Sequence, residues 1–416
     1  MNEGCIPTKT LLRSAEVMHL VRDRSAEFGV RGIDPKSVSF DLAAAVARKD
    51  NIVAGIQAGI YKNLDRNKNI TFMKGHAEFT SPVDIRIDGT LVTAENSVLA
   101  VGSQPAPYAI PGLKEAGFIT NYEALKLEEL PNSMIVIGGG YEGVEFAQMY
   151  ARYGTAVTML GRAPRVMPKE EPELSEKLGD ILREEGVDLH TSTEVVRAGA
   201  ENGARFVLVR EAGSERRYEA EVLLLAVGRN ARIENLGLSE AGVEMDGPYV
   251  GADRRLRTSA SNIWSLGDAN GGLMFTHRAT YDGPIAALNI VKALGREVDY
   301  RVVPRAVFTE PTLASVGLTE AEARAQGHEV RVGTADFAGS GRAKAIGLPV
   351  GMVKLIADDG TGELLGGHIL GPRADDLIHE VVTAMYKKGS AEAIAKSIHV
   401  HPTLSEVVKR AAKALR

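Results

Sequence analysis

One stretch, MIVIGGGYEGVEFAQMYARYG at residues 134–154, restricts the fold more than any other. Four apolar residues run directly into glycines at 138, 140 and 143, and a helical pattern follows at once. G-x-G-x-x-G between a strand and a helix is a dinucleotide fingerprint, whereas the bare pattern is commonly chance. Gly138 permits the tight turn, Gly140 lets backbone approach a pyrophosphate, and Gly143 lets helix pack on strand. The phosphate then rests on the helix N-terminus. The next strand, AVTML, ends at Gly161, where an NAD site places an acidic residue for the ribose 2′-hydroxyl. Arg162 and Arg165 follow instead, which favours NADPH over NADH through the 2′-phosphate. The competing reading is a pair of solvated surface arginines.

Composition narrows the rest. The 416 residues are 44% hydrophobic and 25% charged, an ordinary globular balance with room for two or three domains. A net charge of -5 gives no electrostatic case for nucleic acid or anionic membrane as a partner. No apolar run approaches the roughly 18 residues of a spanning helix, and the first residues lack a signal-peptide pattern, so the expected location is cytoplasmic. Cys5 is the chain's only cysteine, which excludes an internal disulfide framework and fits a reducing compartment.

Periodicity predicts helices over 9–24 and 41–66, the second with Ile52, Ile56, Ile60 and Leu64 on one apolar face. Strands are expected at 71–74, 84–87 and 97–102, and a helix near 278–295. From Val303 the chain alternates strands (GMVKLIA, ELLGGHIL) with helices near 375–388 and 403–415, the pattern of a separate α+β domain. The string LAVG occurs at 99–102 and again at 225–228, each time closing an apolar strand at a turn. The second copy lies 90 residues beyond Gly138. If the copies mark two related domains, the first copy's glycine loop is expected before Met1; chance identity of two short strings is the alternative.

Two further motifs carry chemistry. SASNIWSLGDANGG at 259–272 runs a strand into Gly267-Asp268, which puts a carboxylate at a sheet's carboxyl end, where it can accept from sugar or ribityl hydroxyls. A plain turn or helix cap is the alternative. In HVHPTLSE, Glu406 can reach back to one imidazole nitrogen of His401 and leave the other free for acid-base work. His399 and His401 could instead form a metal pair, but no third ligand is evident nearby.

In order and spacing, NEGCIPTKTLL, AVGSQP, IGGGYEGVEFA, AVGRNA, SLGDANGG and HPTLSE resemble the class I pyridine nucleotide-disulfide oxidoreductases. These are the flavoproteins of the dihydrolipoamide dehydrogenase, glutathione reductase and mercuric reductase family. FTEPTLASVGLTEAEA and ILGPRADDLIHE are similar to its interface domain. The resemblance implies an α/β fold with two Rossmann-like dinucleotide-binding domains and a C-terminal α+β dimerisation domain. It divides the chain into an FAD-binding domain (1–120, incomplete at its N-terminus), an NADP-binding domain (121–248), a second FAD-binding segment (249–302) and an interface domain (303–416).

The resemblance also implies roles. Cys5 matches the cysteine whose thiolate lies against the flavin, and Lys9 the lysine near flavin N5, paired with Glu145. Tyr141 matches the aromatic gate over the nicotinamide pocket. Ala77 and Gly102 match backbone contacts to FAD, Asp268 the ribityl contact, and Gly228 a nicotinamide-side backbone contact. His401, oriented by Glu406, matches the acid-base residue that each subunit of a homodimer supplies to the other. The family's C-x-x-x-x-C pattern puts the partner of Cys5 one residue before Met1, and the FAD glycine loop about 30 residues or more earlier. The expectation is therefore an N-terminally truncated form, with a short paralogue lacking dithiol chemistry as rival, and with weak flavin binding and poor stability. Function is expected to be NADPH-dependent, FAD-containing reduction of a small-molecule or protein disulfide, on the mercuric-reductase-like branch. Gly161-Arg162 disfavours dihydrolipoamide dehydrogenase, the runner-up; a catalytically inactive dimeric NADP-binding protein is the alternative of another class.

Overall fold

The protein is described by a computed structural model covering residues 2–211 and 213–415. Two compact units alternate along the chain: residues 1–5, 50–107 and 228–300 form one, and residues 6–49, 108–227 and 301–416 the other.

In the larger unit, four parallel strands lie in the order Val222–Leu225, Ser133–Ile137, Ala156–Leu160, Asp188–His190. Parallel strands are covered on both faces, so they read as continuous apolar runs; Met134, Ile135, Val136, Leu223 and Leu224 are fully buried. The crossover helices Tyr141–Tyr153 and Pro172–Glu184 bring Phe146, Tyr150, Leu174 and Leu178 into the core that Met134 and Val136 share. Strands Glu194–Glu201, Ala204–Glu211 and Ser214–Ala220 form an antiparallel sheet of their own.

The C-terminal part of this unit is a five-stranded antiparallel sheet, ordered Arg305–Val307, Thr312–Gly317, Leu364–Gly371, Met352–Asp358, Val330–Asp336. Helix Ala374–Tyr386 buries Ala374, Ile378, Val381, Val382 and Met385, one stripe at helical spacing, and helix Ser405–Ala414 buries Val407, Val408, Ala411 and Ala412. Both stripes join Val353, Leu355 and Ile369 in one core.

The smaller unit pairs Ile263–Ser265 in parallel with Ser97–Leu99, and Arg229–Ala231 antiparallel with Ser103–Pro105. Ala77–Phe79, Asp84–Ile87 and Thr90–Thr93 make a three-stranded antiparallel sheet. Phe79, Leu99, Leu238, Val243 and Ile263 form its core. Helix Thr276–Lys292 packs Ala286 beside Trp264 and Val298.

The helices stand where periodicity puts them, with shifted ends: Cys5–Asp23, Leu42–Arg66, Thr276–Lys292, Ala374–Tyr386 and Ser405–Ala414. The expected strand at 71–74 is irregular instead. Alternating apolar residues make a strand only when a neighbour closes the ladder, and among the described residues none pairs with this segment, whose Phe72 and Met73 are exposed. The strand expected over 97–102 stops at Leu99, and Ser103–Pro105 then pairs separately. The Ile52, Ile56, Ile60, Leu64 face is only half-buried, with Ile60 exposed, while Leu42, Ala45 and Val46 at the helix start are buried. Among the described residues, no helix is long and apolar enough to cross a membrane.

Candidate functional site

The three glycines each answer a different steric demand. A Cβ on Gly138, whose φ is 127°, would lie 2.1 Å from the Ala226 carbonyl oxygen, and one on Gly143 would lie 1.9 Å from that of Gly138. Strand, turn and helix therefore close only without side chains at those two positions. Beside Gly140 nothing lies within 4 Å of a Cβ position, which leaves an open backbone surface at the N-cap of helix Tyr141–Tyr153. Open backbone at a helix N-terminus is the cradle a pyrophosphate needs.

The loop after strand Ala156–Leu160 folds over this turn. The Gly161 amide donates to the His190 carbonyl at 2.8 Å, and the Met167 amide to that of Gly139 at 2.7 Å. Arg162 is exposed. Arg165 is half-buried, its Nη2 donates to the Pro168 carbonyl at 3.5 Å, and its buried Nε has no hydrogen-bond partner among the described residues. A donor left over beside an open glycine turn at a helix N-terminus suits an anionic ligand.

The N-terminal helix opens at Cys5 and carries Lys9 one turn on. Lys9 Nζ reaches both Glu145 carboxylate oxygens at 2.9 Å and lies 4.5 Å from the Phe308 ring centroid. Glu145 also accepts from the Phe308 amide at 2.8 Å, which completes the partners a buried carboxylate requires. The Thr276 hydroxyl stands 3.6 Å from Cys5 Sγ, within reach of a weak O–H to sulfur hydrogen bond.

Tyr141, first residue of the glycine-loop helix, donates its hydroxyl to Glu170 Oε1 at 2.7 Å, and Arg305 Nε donates to the same oxygen at 2.6 Å. Burial pushes Tyr141 far above the ordinary phenol range, and the neighbouring Glu170 charge adds to it. Burial would raise Glu170 too, but the Arg305 charge and hydrogen bonds outweigh it and hold the carboxyl below its usual value. The adjoining Glu171 accepts from Lys354 Nζ at 2.8 Å, and Glu173 and Glu320 take the same ammonium at 3.0 and 2.9 Å. These carboxylates hold Lys354 above its ordinary value against the opposing effect of burial.

In the smaller unit, the Ser103 hydroxyl donates to Asp268 Oδ2 at 2.7 Å and accepts from Arg229 Nε at 2.8 Å. The preceding glycines, Gly102 and Gly228, have φ of 72° and 122° with nothing within 4 Å of a Cβ position. The two LAVG copies are thus joined: the residues after each glycine pair as antiparallel strands, Ser103 opposite Ala231. Fully buried Asp282 secures the Gly267-Asp268 turn, accepting from the Gly267 amide at 3.0 Å and the Tyr300 hydroxyl at 2.7 Å. Burial pushes Tyr300 up to about 12. Ala77 is exposed, opposite Ile87.

His401 Nδ1 lies 3.0 Å from Glu406 Oε1, and the Thr403 amide donates to Oε2 at 3.0 Å. That amide first, and then His401, hold Glu406 below the ordinary carboxylate range. The imidazole is 79% exposed with Nε2 outward of the pair. His399 turns the other way: its side chain is buried and its Nε2 meets Glu380 at 2.8 Å. The two histidines thus serve different carboxylates, which argues against a shared metal, and no cluster of three or more metal-ligating side chains exists among the described residues.

Of the residues singled out in sequence, Lys9 meets Glu145, His401 meets Glu406, and the three glycines share one turn. Asp268 is tied to the residue after Gly102 rather than to Gly102 itself. Ser103, Arg229, Glu170, Arg305 and Thr276 were not anticipated. Ser103 and Arg229 follow the glycines of the two LAVG copies, a signal that was available; Glu170 and Arg305 lie 135 residues apart and carry none.

Comparison with known proteins gives the family. Residues 1–283 match the model of the pyridine nucleotide-disulphide oxidoreductases, and residues 303–412 that of their dimerisation domain. A dihydrolipoyl dehydrogenase of Chlorobaculum tepidum is 39% identical over 420 residues, covering 99% of this chain and 88% of its own. A leghemoglobin reductase of Vigna unguiculata is 35% identical over 424 residues, covering 100% and 80%. Among solved structures, the HOCl-induced flavoprotein disulfide reductase RclA from Escherichia coli superposes with a TM-score of 0.88 at 30% identity, covering 100% of this chain and 91% of its own. The chain belongs to the class I pyridine nucleotide-disulfide oxidoreductases, flavoprotein enzymes that use NAD(P)H and FAD to act on sulfur groups. Its C-terminal sheet and helices are the family's dimerisation domain.

Proposed function

We propose that this chain is an NADPH-dependent reductase of small-molecule or protein disulfides. The observation that carries the reading is the Lys9–Glu145 clamp: the helix that opens at Cys5 is fastened, one turn in, to the helix that starts at the dinucleotide turn. FAD, when bound, would supply the two-electron chemistry between a nicotinamide and a sulfur acceptor, and this chain brings one thiol, Cys5, to it. The residues present fit part of its site. Open backbone at Gly102 and Gly228 and the Asp268 carboxylate oriented by Ser103 offer surfaces and acceptors for the cofactor, with Ala77 as a further backbone contact.

Gly138, Gly140 and Gly143 hold the NADPH pyrophosphate, and Arg162 and Arg165 its 2′-phosphate. Tyr141 covers the nicotinamide pocket. Cys5 holds the thiolate on the flavin side, with the Thr276 hydroxyl as a donor to it and the helix N-terminus favouring negative charge. His401 moves the substrate thiol's proton at Nε2, its ring held by Glu406, and serves the other protomer of a homodimer. In this reading the FAD-binding domain ends at residue 120, the NADP-binding domain at 248 and the second FAD-binding segment at 302, before the interface domain.

A second reading, dihydrolipoamide dehydrogenase, is favoured by the name of the Chlorobaculum tepidum relative. The purified chain supplied with FAD is assayed with NADPH or NADH against a disulfide acceptor, and with NAD+ against dihydrolipoamide. NADPH preferred over NADH by about tenfold or more, with disulfide reduced, is the expected result. Faster NAD+-dependent oxidation of dihydrolipoamide establishes the second reading, and NADPH binding without any turnover establishes a catalytically inactive NADP-binding protein.

A further inference from the structure

We propose, resting on the reading of Tyr141 as the nicotinamide gate, that Glu170 is the positioning residue of that gate. Its carboxylate, gripped by Arg305, pins the Tyr141 ring through the phenol hydroxyl and sets how readily the ring swings aside for a nicotinamide.

The geometry singles Glu170 out. Tyr141 follows the open Gly140 directly, as the first residue of the helix that leaves the glycine turn. Its hydroxyl meets Glu170 Oε1 at 2.7 Å. Arg305 grips that carboxylate with both arms of its fork, Nε on Oε1 at 2.6 Å and Nη2 on Oε2 at 3.2 Å. The Glu170 side chain has no solvent exposure and that of Arg305 only 11%. A planar guanidinium on a planar carboxylate fixes the direction of the remaining lone pairs, and here it does so from the first strand of the C-terminal sheet. The acceptor therefore cannot follow the ring. When the ring leaves, the hydroxyl gives up a charge-assisted bond and a buried carboxylate loses one of its donors, and both costs fall on opening. The bond thus acts as a detent on the gate, separate from the glycines and arginines that hold the rest of the dinucleotide.

The test is a mutant cycle on the flavin-loaded protein, read by calorimetric titration with NADP+ and by KM and kcat for NADPH. Tyr141→Phe keeps the ring and the Glu170–Arg305 pair but removes the detent; it is expected to tighten NADP+ by about tenfold, which corresponds to about 1.4 kcal/mol. Glu170→Gln keeps an acceptor oxygen at lower strength and is expected to tighten NADP+ by about threefold, with the change in KM exceeding that in kcat. In the Tyr141→Phe background, Glu170→Gln is expected to change nothing further, because the two act through one bond. An equal effect of Glu170→Gln in both backgrounds, or no effect of Tyr141→Phe, overturns the proposal. Tyr141→Ala separates the layers: unchanged NADP+ affinity and KM in that variant sinks the gate reading itself, whereas a changed Tyr141→Ala with additive Glu170→Gln sinks only the role of Glu170.

Discussion

Glu145 is almost wholly buried, and a carboxylate there is tolerable only beside a cation and a donor, which Lys9 and the Phe308 amide supply. Lys9→Met leaves that charge with the amide alone. A loss of about 2–3 kcal/mol is expected, below the roughly 3–5 kcal/mol of a fully buried broken pair because Lys9 is itself partly exposed, and urea unfolding measures it. Arg162 contrasts with this: it is exposed, and the proposed function gives it the 2′-phosphate of NADPH. Arg162→Ala is expected to raise KM for NADPH by about tenfold and leave that for NADH unaltered, as loss of one charge-assisted phosphate contact requires. An equal rise for both nucleotides would place Arg162 away from the 2′-phosphate. Single residues of this kind were legible where a backbone constraint or a fixed spacing betrayed them. Gly138 and Gly143 could be named because any side chain there collides with backbone, whereas Glu170 and Arg305 have no local signature.

At the scale of elements, the segment between strand Ala156–Leu160 and helix Pro172–Glu184 shows how loop and sheet are bound. Its two final residues, Glu170 and Glu171, are clamped by Arg305 and Lys354 from the C-terminal sheet. Lys354 and Glu171 are both buried, so Lys354→Met is expected to destabilise by about 3 kcal/mol, read from the denaturant midpoint. The pH response follows from the same clamp. Glu170, Glu173 and Glu320 have folded pKa values below their ordinary ones, so their contribution is present above about pH 4.3, the unfolded value, and is lost as pH falls through the folded values. The raised Lys354 acts at the other end, its contribution intact below about pH 10.4 and lost only above it. Urea midpoints measured from pH 6 down to 3 are expected to fall, and to fall less steeply in Lys354→Met, which lacks the partner of Glu173 and Glu320. Helices were readable from spacing because their stripe is local. The strand expected at 71–74 was misread because a strand needs a neighbour that no local pattern specifies.

For the whole molecule, the dimerisation domain makes the proposed exchange of His401 between protomers testable. Cys5→Ser and His401→Gln chains are each expected to be inactive. Their heterodimer pairs one intact Cys5 with the other chain's intact His401, so it should recover about half the wild-type rate. Purified heterodimer with no activity would put His401 in the site of its own chain.

Sequence by itself determined the family, the glycine turn, the cysteine-bearing helix and the Lys9–Glu145 and His401–Glu406 pairs, because each rests on steric or spacing constraints within a few residues, or on motifs in a recognisable order. Tertiary structure alone decided how the other buried charges meet. The Glu170–Arg305 and Lys354–Glu171 contacts join elements more than a hundred residues apart along the chain. Such contacts are selected by the cost of burying an unpaired charge, a cost that exists only once the chain has closed around it.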